Sequence, residues 1–305
     1  MQKHLIFHAA PEMRSHIEDG LHGFANMISQ IFAARGYGTR VAGIGRADLW
    51  RAKLDNNLHI FDMAGAQGRR ALNMRPSVLQ PFWAVERPNS RYQGRMAHKL
   101  FDPSTVGGGL VTPFFEEMQK LYLSPNGPDI ALRDYVLVPL QGQLGKQRPW
   151  QYASAQGMVE TILAQDPKRK IVLKPHPKES YSAEDKAVIS HLLQLPNVQL
   201  LELPIEALIA NCAYIVTQNS TAVFEGILQR KPSILFAKSD FHHIFPTIKS
   251  ASEAPAAFAQ VEAKNMLFMK YLYWYLRMNA ADIRQANAPA KTLEMLAEAG
   301  WNMEL

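Results

Sequence analysis

The chain has 305 residues and a formal net charge of +6, from 33 Lys and Arg against 27 Asp and Glu. Hydrophobic residues make up 47% and charged residues 20%, which excludes disordered, collagen-like and disulfide-scaffold proteins. The one cysteine, Cys212, cannot form an intramolecular disulfide, so we expect a reducing, cytoplasmic compartment. No run approaches the roughly 20 apolar residues of a membrane span, so we expect at most peripheral contact with the inner face of a membrane.

Positive charge is concentrated in the first part of the chain. Residues 1–133 carry 16 Lys and Arg against 11 Asp and Glu. Most of the excess lies in one stretch, where a single acid, Glu86, accompanies Arg69, Arg70, Arg75, Arg87, Arg91, Arg95 and Lys99. This imbalance predicts an anionic partner: a phosphate-bearing substrate, a lipid surface or a nucleic acid.

The first part of the chain alternates between strand and helix patterns. Residues 4–10 and 59–64 are short apolar runs, and residues 39–45 resemble them, so each predicts a strand. Helical spacing of apolar residues over 20–35 predicts a helix that ends at the glycines 36 and 38. The pattern weakens from 65 to 109, and a further helix is expected over 113–123.

A second alternating series follows a turn-forming segment at residues 124–129. The expected strands cover residues 135–140, 170–173, 198–201, 214–217 and 233–236, and the expected helices cover residues 154–165, 183–195, 204–210 and 222–229. Strands that alternate with helices of about 10 residues are typical of a parallel, doubly wound α/β sheet. We therefore predict two such domains, residues 1–130 and 131–264, which face a cleft.

The last segment, residues 265–305, is predicted to be helical and to cross back onto the first domain. Residues 266–278 place Leu, Phe, Met, Tyr and Trp around nearly the whole helix, with only Lys270 and Arg277 as cations. A membrane-surface helix needs a cationic face, so burial is favoured over an interface with lipid or another subunit.

The first chemical motif is Lys174-Pro175-His176-Pro177, directly after the predicted strand 170–173. Ligands of parallel sheets bind beyond the carboxyl ends of the strands. An ammonium group two residues from an imidazole suits a phosphate or a carboxylate. The alternative is a rigid exit from the strand whose polar residues are merely solvated.

The second motif follows the strand predicted at residues 214–217. Gln218, Asn219, Ser220 and Thr221 precede a helix that contains Glu225. Asn219 or Ser220 is the expected N-cap, and the first helical N–H groups favour an anion. Glu225 lies one turn further on, within reach of ribose hydroxyls. An ordinary capped helix with an exposed glutamate is the alternative.

Together these motifs resemble the capsule polysaccharide biosynthesis family, which includes Kdo transferases. The resemblance covers residues 135–278 and includes Gln141 in the segment VLVPLQ. It implies a GT-B glycosyltransferase with two Rossmann-type domains and a nucleotide-activated sugar donor, CMP-Kdo or a similar CMP-sugar. His176 and Lys174 would hold the donor phosphate or sugar carboxylate, Ser220 and Thr221 the phosphate, and Glu225 the ribose, while Gln141, Gln218 and Asn219 would line the donor site.

The chain departs from the family pattern at Gly145, where the family has an aspartate between Gln141 and Gln147. The catalytic base is therefore open. Glu12, after the first strand, is the candidate, with Glu18 and Asp19 as alternatives, and His176 is expected to take part in catalysis.

We expect neither a cofactor nor a metal. His242 and His243 are adjacent but lack a third ligand at a characteristic spacing. No Asp-x-Asp is present, which argues against a metal-dependent GT-A transferase. The histidines at positions 4, 8, 22, 59, 98 and 191 are interpreted as ordinary structural or surface residues.

The expected partners are a nucleotide-sugar donor and an anionic glycan or lipid-linked acceptor. Alternatives on the same fold are an alditol-phosphate transferase, a nucleotide-sugar epimerase, and an inactive nucleotide-sugar-binding protein, which Gly145 favours. Nucleic-acid binding is disfavoured, because Phe82, Trp83 and Tyr92 within the basic stretch match no known module.

Overall fold

The structure, a computed structural model, describes residues 3–66, 68–124, 131–263 and 267–301. Its strands are β1 (His4–His8), β2 (Gly38–Ala42), β3 (Leu58–Asp62), β4 (Ala71–Pro76), β5 (Phe82–Glu86), β6 (Tyr135–Pro139), β7 (Ile171–Lys174), β8 (Val198–Leu200), β9 (Cys212–Thr217), β10 (Ser233–Leu235) and β11 (Ala281–Asp282). Its α-helices are α1 (Pro11–Glu18), α2 (Gly23–Ala33), α3 (Arg46–Leu54), α4 (Arg95–His98), α5 (Val111–Tyr122), α6 (Ala155–Gln165), α7 (Ala183–Leu192), α8 (Ile205–Asn211), α9 (Ala222–Leu228), α10 (Ala254–Glu262), α11 (Phe268–Leu272) and α12 (Ala288–Glu298).

The chain forms two compact units. Unit 1 comprises residues 1–99 and 274–305, and unit 2 comprises residues 100–273. This division differs from the predicted domains 1–130, 131–264 and 265–305. Helix α5 belongs to unit 2 because it packs against α9 and α11. The predicted boundary at 130 and the turn residues 125–129 lie outside the described residues.

Unit 1 contains a sheet with the strand order β11-β5-β4-β3-β1-β2. Strands β1 to β4 are parallel, while β5 runs antiparallel to both β4 and β11. Strands β4 and β5 fall in the stretch where sequence periodicity weakens. Their buried polar residues, Asn73, Arg75 and Glu86, interrupt the apolar pattern but lie inside the sheet.

The core of unit 1 is formed where helix α2 covers the sheet. Phe24, Ile28 and Phe32 of α2 are fully buried and pack with Phe7 and Ile60 of the sheet. The C-terminal residues complete this core, since β11 pairs with β5 and Leu296 and Trp301 are buried in the same cluster. The predicted return of the C-terminal segment to the first domain is confirmed for residues 274–301.

Unit 2 contains a fully parallel five-stranded sheet in the order β10-β9-β6-β7-β8. All five residues of β6 are buried, which is why the strand reads as a continuous apolar run. A Ser154 cap begins α6, and a capping box of Ser182 and Asp185 begins α7. The predicted α/β class with two Rossmann-type units is therefore confirmed.

The aromatic segment near the C-terminus is buried. Helix α11 continues into a π-helical turn at Tyr273–Met278. Tyr271, Trp274 and Tyr275 are each at most 3% exposed, so burial, the favoured interpretation, is confirmed. Within the described ranges, no helix combines the length and apolar composition needed to cross a bilayer.

Candidate functional site

The sheet of unit 2 has a topological switch point between β6 and β9. From β6 the chain proceeds to β7 and β8 on one side, and then returns to β9 and β10 on the other. The connections after β6 and β9 therefore leave toward opposite sides of the sheet. A crevice opens between them at the carboxyl ends of these strands, where ligands of open α/β sheets bind. Gln141 follows β6, and Gln218 and Asn219 follow β9, so these predicted residues border the switch point.

Amide side chains connect the two strand ends. Gln141 Nε2 donates to Asn219 Oδ1 at 3.1 Å. Gln218 accepts from Gln151 Nε2 at 2.7 Å and donates to the Ala153 carbonyl at 2.8 Å. Gln151 and Gln218 are both buried, so the network fixes the loop after β6 against the loop after β9.

The residues after Asn219 lead into helix α9. The N-cap is Thr221, and its side chain makes no capping bond, so the expectation of Asn219 or Ser220 as N-cap is corrected. The helix begins one residue later than a Ser220 cap requires and two later than an Asn219 cap requires, and Ser220 Oγ accepts from the Ala222 N–H at 3.2 Å in a local turn. The Thr221 side chain is exposed.

Glu225 is half-buried and carries an oxygen atom that lacks a partner. Its Oε2 is fully buried and, among the described residues, receives no hydrogen bond. Burial, together with the nearby carboxylate of Glu206, raises the pKa of Glu225 to about 7. Gln141 Oε1 and Thr217 Oγ1 are unpartnered in the same way. Such groups are uncommon in native proteins, and each of them calls for a partner.

The KPHP motif leaves the carboxyl end of β7, which neighbours β6. Lys174 pairs with Pro139 across the sheet, and its Nζ donates to the Pro175 carbonyl at 3.1 Å. The His176 side chain is exposed, and its Nδ1 accepts from the Lys178 N–H at 3.2 Å. Nε2 therefore remains for a ligand.

Tyr181 holds this motif against the loop after β6. Its hydroxyl accepts from the His176 N–H at 2.7 Å and donates to the Leu140 carbonyl at 3.4 Å. Sequence reasoning did not identify Tyr181, because a tyrosine five residues beyond a histidine has no characteristic spacing.

Gly145, which stands where the family has an aspartate, lies beneath the carboxylate of Glu184. A Cβ at position 145 would come within 2.4 Å of Glu184 Oε1. Buried Asp185 accepts the N–H groups of Leu144 and Gly145, which fixes the loop on the start of α7. Burial acts to raise the pKa of Asp185, but these bonds and those from Ser182 outweigh it and lower the pKa. A carboxylate thus lies beside position 145, although residue 145 does not supply it.

His242 and His243 lie after β10, with ring centroids 4.1 Å apart. His242 Nδ1 is 2.6 Å from the Ser239 carbonyl, which suits a donated N–H. Among the residues that the structure describes, no three His, Cys, Asp or Glu side chains are grouped to hold a metal ion.

Unit 1 has its own switch point, between β1 and β3. A pocket of about 420 Å³ opens there, and we call it the Asp62 pocket. Its polar lining residues are Glu12, His16 and Asp62. Glu12 lies in the first turn of α1 and not in a loop, because Pro11 begins a helix directly after β1. Glu18 lines a separate pocket with its ion-pair partner Arg14, and Asp19 caps the end of α1.

Asp62 is a functional candidate that the sequence analysis missed. It is the last residue of β3, and burial raises its pKa to about 6. No hydrogen bond or ion pair to its carboxylate is formed by the other described residues, since burial is the one cause of its raised pKa. The sequence could have identified Asp62, because it places a carboxylate at the carboxyl end of a predicted parallel strand, where ligands bind.

Two of the histidines interpreted as structural form a buried chain near this pocket. His8 Nε2 lies 2.9 Å from His59 Nδ1, and His59 Nε2 lies 2.7 Å from Asp55 Oδ1. His8 Nδ1 is 2.9 Å from the Gly43 carbonyl, so this series of hydrogen-bonded side chains holds the loop after β2 in place. Burial lowers the pKa of His8 despite the bond to Gly43. Both rings are about 1–2% exposed, in agreement with a structural role.

The basic stretch is largely used inside unit 1. Arg75 forms a buried ion pair with Glu86. Arg87 donates to the Ala299 carbonyl at 3.1 Å, and Arg95 pairs with Glu298 at 3.1 Å. Arg87 and Arg95 thus connect the segment after β5 to the C-terminal helix, and Arg75 is neutralised inside the sheet, so these three cations are not free for an anionic acceptor.

Comparison with known proteins gives one match to a family. Residues 130–273 match the model of the family described as capsule polysaccharide biosynthesis protein. No curated protein matches the chain in sequence.

Solved structures with a similar chain path are distant. The β-Kdo 2,7-transferase of Thermosulfurimonas dismutans KpsC has a TM-score of 0.48 at 11% identity, over 90% of this chain and 99% of that chain. The β-Kdo 2,4-transferase of the same protein has a TM-score of 0.47 at 11% identity, with the same coverage. Anabaena HepE, solved with UDP-glucose, has a TM-score of 0.43 at 12% identity, over 96% of this chain and 78% of that chain. These scores assign no activity.

The family match spans the whole sheet of unit 2, from β6 to β10. It includes Gln141 at one side of the switch point and residues 218–221 at the other, together with the KPHP motif. The resemblance to the capsule polysaccharide biosynthesis family is therefore confirmed over residues 130–273.

Proposed function

We propose that the chain is a metal-independent glycosyltransferase that uses a nucleotide-activated sugar, with CMP-Kdo or a similar CMP-sugar as the favoured donor. The acceptor is a surface polysaccharide or a glycolipid. The observation that carries this proposal is the polar constellation at the switch point of unit 2, where Gln141 and Asn219 join two strand ends and the helix that follows, α9, carries Glu225 in its first turn.

Each part of the constellation suits one part of the donor. Glu225 is half-buried, and the accessible part of its carboxylate accepts ribose hydroxyls. Ser220 and Thr221 donate hydroxyl protons to the phosphate, and Lys174 and His176 stabilise the phosphate or the sugar carboxylate. Gln141, Gln218 and Asn219 line the site and hold the loops in place.

The transfer forms a bond between the acceptor hydroxyl oxygen and the anomeric carbon of the sugar. The bond from that carbon to the phosphate oxygen breaks, its electron pair stays on the phosphate, and CMP leaves. Lys174, His176 and the hydroxyls of Ser220 and Thr221 stabilise the departing charge. The hydroxyl proton passes to a carboxylate, for which Glu12 and Asp62 are the candidates. Asp62 is the stronger one, because a base is most effective when its pKa is near the working pH.

Calorimetric titration with CMP, CDP and UDP tests the donor site. We expect CMP to bind, and Ser220→Ala and His176→Ala each to weaken binding by about 10- to 100-fold, the effect of losing a hydrogen bond to a charged group. Ser190→Ala, an exposed serine on α7, is the matched control and should bind as the wild type does. Absence of binding by all three nucleotides at millimolar concentration refutes the proposal.

An inactive nucleotide-sugar-binding protein is the second candidate, favoured by Gly145 at the family's aspartate position. Release of CMP from CMP-Kdo in the presence of mixed glycan acceptors separates the two. Tight CMP binding with intact donor after prolonged incubation supports the binding protein. Release of CMP supports the transferase and implies that a carboxylate other than residue 145 serves the reaction.

A further inference from the structure

The Asp62 pocket occupies a position at which open α/β sheets bind ligands. In unit 1, β1 lies between β2 and β3, so the chain direction across the sheet reverses next to β1. Crevices form outside the carboxyl ends of strands at such a reversal. The pocket is lined from both sides of it, by Glu12 after β1 and by Asp62 at the end of β3. Its volume of about 420 Å³ lies within the range of small-molecule sites.

The lining of this pocket is acidic and apolar. Glu12 and Asp62 supply carboxylates, His16 an imidazole, and Met13, Ile44 and Met63 apolar surface, while no Lys or Arg is among the lining residues that the structure describes. Unit 1 nevertheless carries the whole positive excess of the chain, with 17 Lys and Arg against 11 Asp and Glu, whereas unit 2 has 16 of each. The lining of the pocket is thus acidic although unit 1 as a whole is positively charged. At close range this lining would repel an anionic ligand.

Asp62 is half-buried, and its carboxylate is not among the fully buried unpartnered groups, so a ligand in the pocket can reach it. Among the described residues none donates to it, and burial alone raises its pKa. The next residue, Met63, has a φ of 51°, in the left-handed region that bulky residues seldom adopt, and it lines the same pocket. Backbone strain of this kind is concentrated at binding sites. A ligand that brings hydroxyl donors would satisfy the carboxylate, and its C–H faces would pack on the methionines and Ile44.

We propose that the Asp62 pocket binds an uncharged sugar ring through hydrogen bonds from its hydroxyls to Asp62 and Glu12. The assignment of that ring as part of the acceptor rests on the proposed glycosyltransferase function; the binding itself does not. The sugar unit of the acceptor that occupies the Asp62 pocket is therefore uncharged. The overall charge of the chain predicts an anionic acceptor instead.

Carbon-13 NMR of the full-length protein, labelled at aspartate carboxyls, tests this directly. The Asp62 signal is assigned by its loss in Asp62→Asn. The uncharged probes are methyl glucoside, methyl galactoside and methyl N-acetylglucosaminide, and the anionic probes are methyl glucuronide and N-acetylneuraminate. We expect at least one uncharged probe to shift the Asp62 signal and to lower the pKa of Asp62, because donated hydroxyls stabilise the ionised form. Its affinity should rise as the pH increases through about 6.

Variants make the test specific. Asp62→Asn should weaken binding of the uncharged probe by about 10-fold or more, as expected for losing a bond to a charged acceptor. Glu294→Gln, which removes one exposed carboxylate elsewhere in unit 1 and so changes the net charge equally, should leave binding unchanged. The inference is overturned if anionic probes bind as tightly as uncharged ones, if Asp62→Asn binds as the wild type does, or if no probe shifts the Asp62 signal at millimolar concentrations.

The experiments distinguish failure of the sugar-binding inference from failure of the proposed glycosyltransferase function. Loss of nucleotide binding in unit 2 with sugar binding retained at Asp62 refutes the transferase and leaves a saccharide site. The reverse result leaves the donor site standing and refutes the neutral acceptor pocket.

Discussion

Replacement of Glu225 by glutamine tests how the donor site is built. Burial and the neighbouring Glu206 raise the pKa of Glu225 from 4.5 to about 7. Raising a carboxyl pKa by that amount makes its ionisation cost about 3 kcal/mol more in the folded chain than in the unfolded chain. Partial solvent exposure lowers the effect, so about 2–3 kcal/mol is expected.

The sign of the pH dependence follows from proton binding. Between pH 4.5 and about 7 the folded chain holds a proton on Glu225 that the unfolded chain has lost, so wild-type stability falls as the pH rises through this window. Glutamine never ionises. The free energy of unfolding of Glu225→Gln should therefore equal that of the wild type near pH 4.5 and exceed it by about 2–3 kcal/mol at pH 8.

Urea denaturation at pH 5 and pH 8 measures this difference. Glu206→Gln is the matched control. It removes the neighbouring like charge and keeps an amide oxygen that can accept from the Ser124 N–H, so it should stabilise the protein at pH 8 by less than Glu225→Gln does. A stability gain of Glu225→Gln that is the same at both pH values would refute the reasoning, because it would show that the carboxylate is not destabilised by ionisation.

The same variant should have the opposite effect on the ligand. Ribose hydroxyls bind the ionised carboxylate, so wild-type affinity for CMP should increase as the pH rises through about 7. Glu225→Gln should bind CMP more weakly and without this dependence. Gain of stability combined with loss of affinity is typical of a residue retained for binding.

Three further outcomes are expected. Gly145→Ala should displace the Glu184 carboxylate and change the melting temperature by only a few degrees, and the double variant with Glu184→Ala should melt close to Glu184→Ala alone, because removing the carboxylate removes the clash; a large further loss in the double variant would contradict this. Arg75→Ala should destabilise the protein by about 3–5 kcal/mol in urea titrations, because it leaves Glu86 charged and buried; a loss below about 1 kcal/mol would contradict this. Burial raises the pKa of Cys212 to about 12, so its thiol should resist iodoacetamide at pH 8 until the protein is unfolded, and rapid native labelling would exclude such burial.

The sheet of unit 2 was predictable because its strands are buried on both faces. Residues 135–139 are an uninterrupted apolar run, and every one of them is buried. The carboxyl ends of the predicted strands located the segment 218–221, since ligands bind there, whereas Gln141 was implied by the resemblance to the family. The bond between Gln141 and Asn219 confirms that these two loops are brought together.

Strands β4 and β5 were not predictable from periodicity, because their buried polar residues find their partners inside the fold. Asn73 accepts from the Ala66 N–H and donates to the Arg87 carbonyl. Glu86 accepts from Arg75 and from the Arg95 N–H. Each polar group looks exposed in the sequence, and only the fold reveals its partner. Asp62 was missed because it was counted as one residue of an apolar strand, and its position at the end of that strand was not considered.

Net charge is a weaker guide to the ligand than the location of each charge. Unit 1 carries the entire excess, but Arg75, Arg87 and Arg95 are engaged with Glu86 and with the C-terminal helix. A cation paired inside its own unit contributes little to the field at a pocket elsewhere, since the paired carboxylate or carbonyl cancels much of it. The pocket at the switch point is lined by carboxylates instead. What the ligand meets is this local lining, which is why a basic unit is expected to select a neutral sugar.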